Sequence, residues 1–126
     1  MTLIYDKVTV IGMGLIGASI ALSIRRGGLA KQVIGSDCST DVAKTVARLN
    51  ITEKFEADPT IATKDADLVI MAVPVGAVGK LAEQIIPHMK SGAVLTETGS
   101  TKTSVLRDVS PHLRGDIHWL PSHPLA

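Results

Sequence analysis

Three glycines close a short apolar run and open a helical pattern, in Lys7-Val8-Thr9-Val10-Ile11-Gly12-Met13-Gly14-Leu15-Ile16-Gly17. The G-x-G-x-x-G spacing alone is common, but here a strand pattern precedes it and a helix pattern follows. An acidic residue, Asp37, falls 20 residues past Gly17 (37 − 17 = 20), at the end of a second apolar run, Val33-Ile34-Gly35-Ser36-Asp37. Strand, glycine turn, helix, strand and acid form the fingerprint of a dinucleotide-binding βαβ unit. Gly12 permits the tight turn, Gly14 lets the backbone approach a pyrophosphate, and Gly17 lets the helix pack close to the sheet. Free amides and the positive end of the helix dipole then favour phosphate. The residues that follow Gly14, Leu15 and Ile16, belong to the same cofactor-binding turn. Asp37 is placed to accept hydrogen bonds from an adenosine ribose, and no arginine stands beside it in Cys38-Ser39-Thr40 to neutralise a 2′-phosphate. NAD is therefore expected over NADP. The competing reading is a βαβ unit whose glycines serve packing alone.

At 126 residues one domain is expected. With 13 basic and 12 acidic residues the net charge is +1, so no strong field draws the chain to nucleic acid or a membrane surface. Tyr5, Phe55 and Trp119 are the only aromatics, too few to stack bases. The single cysteine, Cys38, excludes an internal disulfide. It reads as a small pocket-wall residue. No apolar run approaches the ~20 residues that span a bilayer, and the first strand starts too near Met1 for a signal peptide. A cytoplasmic location is expected. His88, His112 and His118 share no metal-ligand spacing, so no metal site is expected.

Strands and helices alternate along the whole chain. Strands are expected at Lys7–Ile11, Gln32–Asp37, Asp67–Val73, Ala93–Thr96 and Ile117–Leu120, with a weak one near Phe55. Helices are expected at Leu15–Arg26, after Ser39 or Thr40, over Val78–Ile86 and over Ser104–Leu113. This order gives an α/β, Rossmann-type, doubly wound and mainly parallel sheet with helices on both faces. Ligands of such sheets bind beyond the carboxyl ends of the strands. That rule selects Gly12–Gly17, Asp37–Ser39, Val73–Gly76 with Pro74, Glu97–Lys102 and Pro121–His123. Asp65, Asp67 and Asp116 lie at the opposite end and read as solvated turn residues.

Two of the selected strand ends carry candidate chemistry. Thr96-Glu97-Thr98-Gly99-Ser100-Thr101-Lys102 is dense in hydroxyls, although Ser100 to Ser104 could simply cap a helix. In Leu120-Pro121-Ser122-His123-Pro124-Leu125-Ala126, two prolines restrict the backbone around His123. A histidine can take up a proton near neutral pH, as alcohol oxidation requires; it can also be a loop residue without a role.

Taken together, Leu15-Ile16-Gly17-Ala18-Ser19, Ala72-Val73-Pro74-Val75, Gly99-Ser100-Thr101-Lys102 and Ser122-His123-Pro124-Leu125-Ala126 resemble one family. It is that of the prephenate, arogenate and cyclohexadienyl dehydrogenases, whose pattern runs G-x-G-L-I-G-x-S, A-V-P, D-x-G-S-x-K and H-P-x-A-G in this order. The resemblance implies NAD-dependent oxidative decarboxylation of prephenate or arogenate in tyrosine biosynthesis. It implies that His123 is the base at the ring hydroxyl and that Ser100 orients that hydroxyl beside the cofactor. Val73 and Pro74 would contact the cofactor, and Lys102 matches the motif lysine. The family's aspartate is Glu97 here, one methylene longer, which shifts whatever that carboxylate anchors. Family members continue into a helical domain that forms a homodimer and supplies an arginine to the substrate, whereas this sequence ends at Ala126. The chain is accordingly expected to be the NAD-binding part, with negligible turnover alone. Other two-domain dehydrogenases, such as the β-hydroxyacid dehydrogenases and pyrroline-carboxylate reductases, share the opening motif but not Ser122–Ala126. A non-catalytic NAD-binding module would need neither Ser100 nor His123.

Overall fold

The structure, a computed structural model, describes residues 5–98 and 102–121. In chain order the elements are β1 (Tyr5–Ile11), α1 (Leu15–Gly27), β2 (Ala30–Ser36), α2 (Thr40–Leu49), β3 (Lys54–Phe55) and α3 (Pro59–Thr63). They continue with β4 (Leu68–Met71), α4 (Val75–Ile85), β5 (Val94–Glu97), α5 (Lys102–Val109) and β6 (His118–Pro121). Six strands pair in the order β3-β2-β1-β4-β5-β6, all parallel. The strand order reverses direction between β1 and β4, and a crevice opens there at the carboxyl ends. The expected doubly wound parallel sheet is the architecture observed.

Alternate side chains of each central strand feed two cores. Val8, Val10, Val33 and Ile70 pack with Ala21 of α1 and Val46 of α2 on one face. On the other face Val69, Met71 and Leu95 pack with Val78, Leu81 and Ile85 of α4 and Val105 and Val109 of α5. Burial on both faces explains why β4 reads as an unbroken apolar run. Thr9, fully buried in β1, donates from Oγ1 to the Ala62 carbonyl at 2.6 Å and so fastens the short α3 to the sheet. Sequence periodicity missed α3, because five residues are too few to show a helical period. Its local signals are legible all the same: Asp58 caps it by accepting from Thr60 N–H at 2.9 Å, and Pro59 starts it.

Asp67 corrects a sequence expectation. It is no solvated turn residue but a clamp at the amino end of the sheet. Its Oδ2 accepts from the backbone amides of Asp6 and Lys7 at 2.8 and 3.0 Å, and its Oδ1 pairs with Lys90. The Lys90 hydrogen bond, then those to the two amides, hold its carboxyl below the usual carboxylate range against the opposing effect of burial. Asp116 likewise grips Arg114, whose guanidinium donates to the Ile86 and Met89 carbonyls just past α4, at 2.8 Å each. A lowered carboxyl pKa means that Asp67 stabilises the fold above the unfolded value, about 3.9, and that this contribution fades as pH falls through the folded one. Asp67→Asn is expected to cost about 1–2 kcal/mol at pH 7, reduced by solvent at the part-exposed Lys90. Chemical denaturation repeated below pH 4 should show that difference shrinking; a pH-independent cost would assign the effect to packing.

Candidate nucleotide-binding site

The glycine turn is built by three different constraints. Gly12 has φ +94°, and a Cβ on it would lie 2.4 Å from the Ala72 carbonyl oxygen of the β4 end. A Cβ on Gly17 would lie 1.8 Å from the Gly12 oxygen, so α1 starts in direct contact with the turn that launches it. Gly14 is different. It caps α1 with ordinary dihedrals, φ −68° and ψ −164°, and a Cβ there would meet nothing within 4 Å among the described residues. Protein packing therefore demands glycine at 12 and 17 but leaves open space at 14.

Among the described residues the start of α1 has no side-chain cap, and there is no acidic residue in its first turn. Its first intrahelical bond runs from Ala18 N–H to the Gly14 carbonyl at 2.9 Å, so the amides of Leu15, Ile16 and Gly17 precede the helical ladder. Leu15 is 87% exposed and Ile16 also stands out to solvent. Neither is retained for the core. Amides without helical partners, a positive dipole end and an open flank at Gly14 suit a phosphate.

Beside this turn lies a cavity of about 520 Å³. Ile11 and Gly12 of the β1 end, Ser36, Asp37 and Cys38 of the β2 end, Pro59 of α3 and Val73 after β4 line it. Gly76, Ala77, Lys80 and Gln84 of α4 close the far side. Asp37 Oδ2 accepts from Met13 N–H at 2.8 Å and its Oδ1 from Ser39 N–H at 2.9 Å. Ser36 Oγ is buried with no hydrogen-bond partner among the described residues. A volume of this size, an acid on its wall and a buried polar atom fit a nucleoside, and the open flank of Gly14 fits its phosphates.

The structure thus brings Gly12, Asp37 and Val73 to one cavity. Gly14 and Leu15 border a shallower groove of about 390 Å³ toward α2. Pro74 is the exposed N-cap of α4. Glu97 is fully buried at the carboxyl end of β5, level with Met71 of β4 and Pro121 of β6. Ser100 and His123 lie outside the described residues. Sequence reasoning missed Met13, whose amide meets Asp37, and the cavity-facing side of α4. The small pair Gly76-Ala77 right after Pro74 is the local signal for the latter.

Strand order, switch-point crevice and glycine turn define a nucleotide-binding Rossmann-type domain. The sequence profile of the prephenate dehydrogenase nucleotide-binding domain matches residues 20–126. The chain belongs to the prephenate dehydrogenase family. It is 34% identical over 123 residues to the cyclohexadienyl dehydrogenase of Zymomonas mobilis, covering 98% of this chain and 42% of that protein. It is 30% identical over 122 residues to the prephenate dehydrogenase of Lactococcus lactis, covering 95% and 34%. In fold it is similar to the crystal structure of A. aeolicus prephenate dehydrogenase in complex with hydroxyphenyl propionate and NAD+. There the TM-score is 0.86 at 23% identity, over 99% of this chain and 43% of that one. The chain spans less than half the length of each of these proteins. Among the described residues no helix is long and apolar enough to cross a membrane.

Proposed function

We propose that this chain is the NAD-binding half of a dehydrogenase that oxidatively decarboxylates prephenate or its amino counterpart arogenate. The observation that carries the nucleotide assignment is the open flank at Gly14, next to helix amides that precede the intrahelical ladder and one residue past Met13, whose amide donates to Asp37. The family membership supports the substrate class. NAD+, when bound, supplies the hydride acceptor. Gly12, Gly14, Leu15, Ile16 and Gly17 receive its pyrophosphate, Asp37 its adenosine ribose, and Val73 with Pro74 its inner flank.

The remaining steps fall to Ser100 and His123. As hydride leaves the ring carbinol carbon, His123 takes the hydroxyl proton, and Ser100 orients that hydroxyl and contacts the cofactor. Carbon dioxide departs, the ring becomes aromatic, and the phenolate oxygen takes a proton back, giving 4-hydroxyphenylpyruvate or tyrosine. Aromatisation drives the step, so the protein mainly orients the reactants and accepts a proton. We place the enzyme in the cytoplasm as a homodimer, in keeping with the lone thiol Cys38 and with the family resemblance.

Calorimetric titration of the chain with NAD+ and NADP+ tests the cofactor assignment. NAD+ is expected to bind about tenfold tighter or more, because a 2′-phosphate would face the Asp37 carboxylate. Equal or tighter binding of NADP+ overturns the choice of cofactor. Absence of binding by both overturns the nucleotide assignment.

A further inference from the structure

The two oxygens of Asp37 serve two different elements. Oδ2 accepts from Met13 N–H inside the glycine turn, and Oδ1 accepts from Ser39 N–H, the residue whose side chain caps α2. Met13 is only 4% exposed, so water is a poor substitute for that acceptor. The preceding amide, Gly12 N–H, donates to the Ser36 carbonyl at 2.7 Å. Successive amides of the turn are thus held by successive residues of the β2 end. The first bond is main chain to main chain and tolerates any side chain at 36. The second requires an acceptor of the right reach at 37.

A carboxylate offers about four acceptor directions, and these two amides use two of them. Two remain for a ligand at the cavity wall. From this geometry we propose that Asp37 is a positioning residue for the phosphate-binding turn, separately from any bond it makes to a ribose. The ligand side of this role rests on the NAD assignment above; the hold on Met13 is a bond between protein atoms alone. A turn fixed in advance loses less freedom when phosphate arrives, which strengthens binding without an added contact.

The two duties predict opposite responses to a chosen probe, 2′,3′-dideoxyadenosine 5′-diphosphate. It carries adenine and phosphates but no ribose hydroxyls. If Asp37 served the ribose alone, Asp37→Ala would leave this probe's affinity unchanged. Removal of a negative charge near an anion would by itself tighten binding. Positioning predicts the reverse, a loss of about fivefold or more, the effect of roughly one hydrogen bond. Unchanged or tighter probe binding in Asp37→Ala overturns the inference.

Amide hydrogen exchange of the ligand-free chain gives a second readout. In Asp37→Ala the Met13 amide is expected to exchange about tenfold faster, while Val8, Val10 and Val33 in the sheet keep their protection. Should that variant not fold, Asp37→Asn retains one acceptor oxygen, and its amide group cannot accept from a second N–H. At least one of the Met13 and Ser39 amides should then lose protection; if both keep it, the positioning role is wrong. Failure of the parent chain to bind either NAD+ or the probe would sink the NAD assignment instead. The exchange result would still decide the role of Asp37.

Discussion

Alanine at Gly17 is expected to unfold most of the chain at room temperature or lower its melting temperature severely, whereas alanine at Gly14 should barely move it. The difference lies in what each new methyl group meets. At Gly17 it would sit 1.8 Å from one backbone atom and 2.9 Å from another, both of Gly12. No rotamer change relieves a clash with main chain, so α1 would have to leave the sheet. Ordinary overpacking costs about 1–3 kcal/mol, and a clash with backbone belongs at or above the top of that range. Against a typical total stability of about 5–15 kcal/mol that is a large share. Gly12→Ala should behave similarly, since its φ of +94° and the nearby Ala72 carbonyl both oppose a side chain. At Gly14 the same methyl group enters open space on a backbone that any residue adopts, so the change should stay within about 1 kcal/mol. Its effect should fall on binding, where it occupies the approach of the pyrophosphate. A loss of NAD+ affinity of roughly 100-fold is expected. Thermal melts and calorimetry on the three variants check both halves. If Gly14→Ala melted as low as Gly17→Ala and bound NAD+ normally, glycine at 14 would be a packing requirement and the phosphate site would be misplaced.

This contrast also shows why the sequence was informative at some positions and silent at others. The glycine spacing is visible because backbone geometry leaves no alternative residue type at 12 and 17. The buried run in β4 is visible because both of its faces are covered. The doubly wound order follows from strand–helix alternation with right-handed crossovers. Asp67 was misread because its partners, the Asp6 and Lys7 amides and the Lys90 side chain, are distant in sequence and only the fold assembles them. The same holds for Asp37 and Met13: the fingerprint treats the residue after the first glycine as free, since any side chain can supply its amide. In α4 the apolar stripe of Val78, Leu81 and Ile85 was legible, but the residues that face the cavity, Lys80 and Gln84 among them, lie on its polar side. A polar helix face carries no period that distinguishes ligand from solvent. Ser100 and His123 were selected by the rule that ligands bind beyond the carboxyl ends of strands, and motif resemblance gave them their roles.

In the intact protein, His123→Asn is expected to lower turnover of prephenate or arogenate by roughly 10²–10⁴, with little change in NAD+ affinity. The range is what a positioned general base contributes. Asparagine can still hydrogen-bond a ring hydroxyl but cannot take its proton, so the variant separates holding the substrate from deprotonating it. A base that must be unprotonated predicts a rising limb in the pH–rate profile, as the imidazole becomes able to accept a proton. That limb should disappear in the variant. Ser100→Ala should be milder, nearer tenfold, because an orienting hydroxyl contributes about one hydrogen bond to the reacting geometry. A merely structural histidine would instead change stability and leave the pH limb in place. Unchanged turnover in His123→Asn would remove the role of base from His123 and favour another two-domain dehydrogenase chemistry, or none, on the same nucleotide-binding turn.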